Sequence, residues 1–461
     1  MYNYLPHTHK VREKMLRDIE LDSIEDLFKN INPKITDDNK KSVIPEGLSE
    51  LEARKKLISL AKKNLSISDC ISFLGGGIYN RYIPACVNTI VERSEFLTSY
   101  TPYQPEVSQG TLQVMYEYQS MICNITGMDV ANASVYDGAT ACAEAILMAS
   151  RLTKKTKALL SSTINPYYKR VIETYCYGAD IELDYLPFKD GKTDINRIDK
   201  EFLESLNEYA CILIQNPNYL GCIEDVFEIS EICKKLKSKS LFIVCADPVS
   251  LGVLESPSKY GADIIVGDIQ PLGISMAFGG PHGGFIACKS DYLRQLPGRI
   301  AGMTKDRDGE RAFTLTLQAR EQHIRRGKAT SNICTNQALM ALAATVYLSV
   351  TGPEGIKEIA LISTQQAHYL ADKINKISGF KILFSNFLYE FVMKIDNKIG
   401  SDKLIEELEA RNILPGIRLD DKFESFKNHI LVSVTEMNDI NDLHSFLNGL
   451  KEISIKYKLA G

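Results

Sequence analysis

The chain has 461 residues, 44% hydrophobic and 24% charged, with a formal net charge of −4. That length suffices for a large core plus one smaller domain, and the near-neutral balance gives no global attraction to nucleic acid or anionic lipid. No run approaches ~18 apolar residues and the N-terminal MYNYLPHTHKVREKM has no apolar signal core, so a cytoplasmic protein without a membrane span is expected.

Residues 11–29 place Met15, Leu16, Ile19, Ile24, Leu27 and Phe28 at near-helical spacing. Residues 30–43 are polar, hold Pro33, Asp37 and Asp38, and read as a linker. Helical periodicity returns over Leu48–Leu65, where Ser49 and Glu52 form a candidate capping box. Together these predict an N-terminal helical arm over 1–70. His7 and His9 have no third ligand nearby, so no metal site is expected.

Two turn-rich, tyrosine-rich segments follow, Phe73–Pro84 and Thr98–Gly110. Such segments either lay their rings over an apolar face or project into a site or interface. Sequence leaves both readings open. A helix is predicted from Thr111 to about Thr126, then a short run, a turn at Gly138 and an alanine-rich helix over 139–150. Gly138 lets a ligand approach free N–H groups at that helix start, an arrangement suited to phosphate, although any helix start has a similar pattern.

From Lys157 strands and helices alternate. Strands are predicted at 158–161, 181–186, 211–215 and 241–246, with helices near 166–177, 195–206 and 225–237. That alternation predicts βαβ units and a mostly parallel sheet. After Thr335 a helical run reaches Ser349 and stops at Gly352-Pro353. Helices over 355–377, 401–410 and 440–457 and strands at 380–383, 389–395 and 430–435 predict a smaller α+β domain. Eleven scattered cysteines without a C-x-x-C spacing predict reduced thiols and neither disulfides nor zinc.

The stretch Leu241–Cys288 carries the chemistry. An apolar run stops at Asp247-Pro248, a second ends at Gly267-Asp268, and the glycine loop 278–284 leads into a third. Enzymes of the aminotransferase fold, which use pyridoxal phosphate (PLP), arrange strand, carboxylate, strand, turn and glycine loop in this order. Their carboxylate faces the pyridine nitrogen, and a lysine after the second strand forms the Schiff base. Asp247 fits the carboxylate, or simply caps the next turn. His282 fits a phosphate or carboxylate ligand, or a loop hydrogen bond. At the lysine's place stand Gln270 and Pro271, and neither has an amine. The nearest lysines are Lys259 and Lys289. Farther on, Arg325, Arg326, Lys328, Thr330, Ser331 and Asn332 gather between two helices, as a solvated helix end or an anion site.

PYQPEVSQG (Pro102–Gly110), the run Ala131–Ala145, GDIQPLG (Gly267–Gly273), FGGPHGG (Phe278–Gly284) and RRGKATSNICT (Arg325–Thr335) resemble the glycine dehydrogenase (decarboxylating) family, the P-protein of the glycine cleavage system. The resemblance spans essentially the whole chain. Within that family it is similar to the α chain of the two-subunit form, which has the PLP-transferase fold but not the Schiff-base lysine. The fold implied is α/β, an aminotransferase type I large domain over 71–335 and a small α+β domain over 336–461.

The resemblance implies an α2β2 heterotetramer. Its β chain holds PLP, glycine is decarboxylated there, and the aminomethyl group passes to the lipoyl arm of H-protein. In such dimers loops of one chain complete the partner's site. Tyr100, Tyr103, Gln104, Glu106, Ser108 and Gln109 are therefore expected at the α/β interface, orienting substrate and excluding water. Asp137, Thr140, Asp247 and His282 are expected in a vestigial pocket of this chain's own, without covalently bound PLP. Arg325, Arg326, Lys328, Thr330 and Asn332 are expected to bind substrate or a partner. A scaffold subunit and an independent PLP-dependent decarboxylase using Lys259 or Lys289 are the competing readings.

Overall fold

The computed structural model describes residues 7–32, 45–197, 206–235, 240–277, 279–423 and 425–459. The chain divides into two compact units, Met1–Leu65 and Ser66–Gly461.

In the first unit, helix α1 spans His9–Asp18 and α2 spans Glu50–Ala61. The capping box is present: the Ser49 hydroxyl accepts from the Glu52 amide and Glu52 Oε2 accepts from the Ser49 amide at 2.9 Å. The single helix expected over 11–29 is two pieces. Glu20 turns left-handed at φ 58°, and the Asp26 carboxylate takes the amides of Asp22 and Ser23, which starts a separate short 3-10 turn, Glu25–Phe28. Local side-chain bonds have outcompeted the helical ladder there. Most of the expected linker, 33–44, lies outside the described residues, as do 198–205 and 236–239.

The second unit is built on a seven-stranded sheet. Its strands are β1 (Val130–Ala131), β2 (Lys157–Ser161), β3 (Glu182–Leu186), β4 (Cys211–Asn216), β5 (Leu241–Ala246), β6 (Ile264–Asp268) and β7 (Gly284–Cys288), in spatial order β1-β7-β6-β5-β4-β2-β3. Strands β3, β2, β4, β5 and β6 run parallel and β7 is antiparallel to its neighbours. All six residues of β5 are buried. Phe242, Val244 and Ala246 enter one core and Leu241, Ile243 and Cys245 the other, as the two-residue period of a strand covered on both faces requires. Helix α3 (Gln109–Thr126) supplies Tyr118 and Ile122 to the first core, and α4 (Gly138–Thr153) supplies Ala141, Cys142 and Ile146 to the second. Helix α5 (Pro166–Gly178) adds Ile172 and Cys176 to the second core, and α6 (Val226–Lys235) adds Val226 and Ile229 to the first.

The helix expected near 195–206 lies mostly outside the described residues, at 198–205; its described ends are 3-10 turns at Ile195–Arg197 and Leu206–Glu208. The run after Thr335 begins at Ala338, and α7, Ala338–Ile374, is two helical segments that meet at a non-helical Gly352 (φ 61°, ψ −177°), the break expected at Gly352-Pro353. Pro353 opens the second segment, where its missing N–H costs nothing. By length and composition α7 suits a membrane span, but Leu342, Tyr347, Ile356, Ala360 and Leu370 are buried within the protein.

The hairpin β8 (Ile300–Lys305) and β9 (Arg311–Thr316) was not expected, although the Asp308-Gly309 pair at its tip, with Gly309 at φ 87°, is a hairpin signal. Its Phe313 and Leu315 close a small core with Leu112 and Met115 of α3. A four-stranded sheet contains β10 (Phe380–Ile382), β11 (Glu390–Ile395), β12 (Ile417–Arg418) and β13 (His429–Ser433) in the order β10-β11-β13-β12, packed against α7, α8 (Gly400–Glu409) and α9 (Ile440–Lys456). All eleven cysteines are free.

Ile265 in β6 is fully buried. Replacing it with alanine is expected to cost about 3 kcal/mol through lost burial and the cavity left behind. Urea unfolding would show a lower midpoint at unchanged slope.

Candidate functional site

Open parallel sheets bind ligands beyond the C-terminal ends of their strands. Here that place is almost filled. Between β5 and β6 remains a cavity of about 30 Å³ lined by Tyr79, Asn165, Tyr168, Asp247, Asp268 and Pro271 among others. Such a volume holds a water or two, whereas a cofactor-sized ligand takes roughly 300 Å³ or more.

The filling is specific. Gln270 Oε1 accepts from the Tyr79 amide at 2.9 Å, and its Nε2 donates to the carbonyls of Tyr79 and Ile274, both at 2.9 Å. Asp268 Oδ2 accepts from the Gly138 amide at 2.9 Å and its Oδ1 from the Gln270 amide at 2.8 Å. The Asp137 carboxylate caps Thr140 at 2.7 Å. The start of α4, the expected phosphate cup, is thus occupied by the chain's own carboxylates. A Cβ on Gly138 would lie 2.5 Å from the Tyr168 hydroxyl, so that glycine serves close packing. His282 Nδ1 stands 4.0 Å from Asp268. Burial raises the Asp268 pKa to about 7 and lowers that of His282, pushing both toward their neutral forms.

Asp247 is also spoken for. It accepts from the Tyr389 hydroxyl and the Val249 amide, and burial raises its pKa against the lowering field of Arg81. Of the four residues expected in the vestigial pocket, Asp247 lines the cavity, Asp137 and Thr140 form a helix cap, and His282 faces Asp268. PLP does not fit this arrangement. Lys259 pairs with Glu255, and Lys289 pairs with Asp263 at the other end of β6, so neither reaches the cavity.

The first tyrosine-rich segment turns inward. Glu390 Oε1 accepts from the Gly76 amide at 2.7 Å and Oε2 from the Tyr79 hydroxyl at 2.8 Å. Arg81 binds Glu436 at 2.7 Å and stacks between the rings of Tyr79 and Tyr389. Burial raises the Glu390 pKa to about 7, opposed by its hydrogen bonds to Gly76 and Tyr79. Sequence reading missed Arg81, Glu390 and Glu436. Their one local signal is a carboxylate or guanidinium set among apolar and aromatic neighbours.

The second tyrosine-rich segment faces out. Tyr100 is 80% exposed, Val107 79% and Tyr103 50%, and Gln104 and Glu106 are exposed beside them. Ser108 precedes α3, and Gln109 is a brace: its amide binds the carbonyls of Pro105 and Phe313 and the Phe313 amide. Arg299, another residue missed, donates to Thr101 at 3.0 Å and to the Tyr103 hydroxyl at 3.1 Å, and faces Glu321 at 3.7 Å. Glu321 leads into the basic segment, and His323 lies edge-on to Tyr103 with ring centroids 5.7 Å apart. Arg325, Arg326, Lys328 and Asn332 are exposed, while the Thr330 amide binds the Arg320 carbonyl. The structure therefore brings two separate motifs, 98–110 and 321–332, together on the surface.

The family model for the glycine cleavage system P-protein matches residues 2–450. The chain belongs to the P-protein family. It is 44% identical to the probable glycine dehydrogenase (decarboxylating) subunit 1 of Geobacillus kaustophilus, over 98% of this chain and 99% of that one. A solved glycine decarboxylase (P-protein) of the glycine cleavage system, in inhibitor-bound form, superposes with a TM-score of 0.88 at 40% identity, covering 98% of this chain and all of the other. Lactobacillus brevis glutamate decarboxylase superposes with a TM-score of 0.68 at 14% identity over 92% and 96% of the chains, a likeness of fold alone. This P-protein chain thus has the expected type I PLP-transferase fold.

Two outcomes follow from the filled pocket. A buried acid raised from 4.5 to about 7 favours the folded state while it is protonated, so its contribution is present at low pH and is lost as pH rises through about 7. Glu390→Gln, which keeps partners for Gly76 and Tyr79, is expected to flatten the decline in unfolding free energy between pH 5 and 8 by up to about 3 kcal/mol. Denaturant titrations across that range measure it. Gln270→Lys is expected to create no PLP site. It loses three hydrogen bonds and buries an amine, costing about 3 kcal/mol or more, and borohydride reduction with PLP should leave it unlabelled.

Proposed function

We propose that this chain is the α subunit of a heteromeric glycine dehydrogenase (decarboxylating), paired with a β chain in an α2β2 assembly in the cytoplasm. One contrast carries the reading: the chain's own cofactor cleft is packed shut, while a braced, tyrosine-rich face stands open to a partner. PLP on the β chain would supply the electron sink for the carbanion left when glycine loses CO2.

This chain's share is the surroundings of that reaction. Tyr100 and Val107 present apolar area that a partner surface would cover, as exposed patches of this kind commonly require. Tyr103, Gln104 and Glu106 offer a hydroxyl, an amide and a carboxylate from a backbone that Gln109 and Ser108 anchor to α3. Placed over the partner's cleft, they orient glycine and keep water from the developing charge, which is most effective when the donors are already fixed. The cations Arg325, Arg326 and Lys328 sit next to this face and suit an acidic surface. We assign them to lipoylated H-protein, which has to bring its arm to the same cleft. The alternative, a subunit that stabilises the β chain and contributes nothing to the reaction, leaves the exposure of loop 98–110 without a use.

The test is reconstitution of the complex from purified chains. Tyr103→Phe and Glu106→Gln are expected to lower glycine-dependent bicarbonate exchange by about tenfold or more with normal assembly. Unchanged rates would reduce the chain to a scaffold. Stoichiometric pyridoxyl label on the α chain alone, after PLP and borohydride, would instead favour an independent decarboxylase.

A further inference from the structure

Arg299 immediately precedes β8, and its backbone is fixed by the Ala133 amide bonding to the Arg299 carbonyl at 2.8 Å. Its residue exposure is only 2%. One arm of the guanidinium, Nη1, donates to the Thr101 hydroxyl at 3.0 Å, and the other, Nη2, to the Tyr103 hydroxyl at 3.1 Å. The group also lies 5.3 Å from the centre of the Tyr103 ring. Behind it stands Glu321, 5% exposed, with Oε2 at 3.7 Å from Arg299 Nε and at 3.5 Å from His323 Nδ1. Arg299 Nε and Glu321 Oε1 are buried without a hydrogen-bond partner among the described residues.

A buried ion pair that satisfies only part of its hydrogen-bonding capacity is a poor source of stability. Hydrophobic residues of the same volume would hold the loop to the hairpin at less desolvation cost. The fork does something they cannot do. Because Arg299 donates to the Tyr103 oxygen, that hydroxyl's own proton cannot point at the guanidinium and is left to the oxygen's other side. A cationic donor on the oxygen also polarises the O–H, since hydrogen bonds in a chain strengthen one another. A lysine would supply the charge, but not the two fixed N–H directions that reach Thr101 and Tyr103 at once.

We propose that Arg299, held by Glu321, is a positioning residue for the reaction: it fixes the Tyr103 hydroxyl as an outward-facing donor toward negative charge in the partner chain's site. This rests on the reading of loop 98–110 given above. Glu321 orients the guanidinium and keeps its charge compensated beneath the loop. Arg299 itself touches neither substrate nor cofactor. Its effect passes through Tyr103.

A double-mutant cycle in the reconstituted complex tests this. Arg299→Lys, Tyr103→Phe and the double variant are compared for kcat and for the KM of glycine, with assembly followed by sedimentation velocity. Both single variants are expected to lower kcat by about tenfold at nearly unchanged KM, and the double variant to lose no more than either. If Tyr103→Phe lowers kcat but Arg299→Lys does not, or if the two losses multiply, the positioning role is overturned while the loop's role stands. An unchanged kcat for Tyr103→Phe overturns the loop's role and this one with it. Should the Arg299→Lys chain fail to assemble, Glu321→Gln keeps the fork and its volume. It is expected to lower kcat in the wild-type background and not in the Tyr103→Phe background, and a loss of equal size in both would overturn the proposal.

Discussion

The grip of Gln270 on the backbone of Tyr79 is the contact from which the rest of the unit takes its arrangement. The amide side chain binds both the N–H and the carbonyl of one residue, as a neighbouring strand would. The Gln270 backbone N–H donates to Asp268, and Asp268 holds the first turn of α4. On the far side the Tyr79 hydroxyl binds Glu390, whose strand begins the central pair of the four-stranded sheet. Gln270, through its side chain, its backbone N–H and their partners Tyr79 and Asp268, thus links the C-terminal edge of the parallel sheet, the start of a helix and the smaller sheet. An amine in its place would have one polar end and could not span these partners.

Closing the cleft has left the unit with more buried charge than an ordinary core carries. Arg81, Glu390 and Asp268 are almost fully enclosed. Hydrogen bonds and ion pairs meet part of that cost: Arg81 finds Glu436 and two aromatic faces, Glu390 finds Gly76 and Tyr79, and Asp268 finds two backbone amides. Burial still outweighs these bonds at both carboxylates, which is why each is raised to about 7. An apolar filling would be more stable. The polar one fixes directions: each acid binds particular amides, so sheet and loops meet in a single register.

How much of this was legible in the sequence depended on how local its cause was. Strand β5 was plain because six consecutive apolar residues are closed by Asp247-Pro248. The seven-stranded sheet followed from the alternation of strands and helices, and the filled cleft was foreshadowed by Gln270 at the lysine's place. The two tyrosine-rich segments could not be separated by composition. They differ because Phe73–Pro84 meets Gln270, Glu390 and Glu436, residues up to 355 positions away, whereas Thr98–Gly110 is held mainly from behind by Arg299 and Phe313. The hairpin was missed because its apolar alternation is short, with Phe313 and Leu315 its two buried positions in β9. Its buried face appears only once α3 supplies Leu112 and Met115.

The inward and outward segments obey the same physics with opposite results. In both, an arginine is stacked on tyrosine and paired with a glutamate: Arg81 with Tyr79, Tyr389 and Glu436, and Arg299 with Tyr103 and Glu321. Around Arg81 every aromatic ring is enclosed, and the Tyr79 hydroxyl spends its proton on Glu390. Around Arg299 the tyrosine hydroxyl accepts a hydrogen bond from the cation, and the residue is half exposed. A hydroxyl that gives its proton to a buried acid is committed to the fold. One that accepts from a buried cation at the surface still has its proton to give, and the assembly proposed above puts the acceptor on the partner chain.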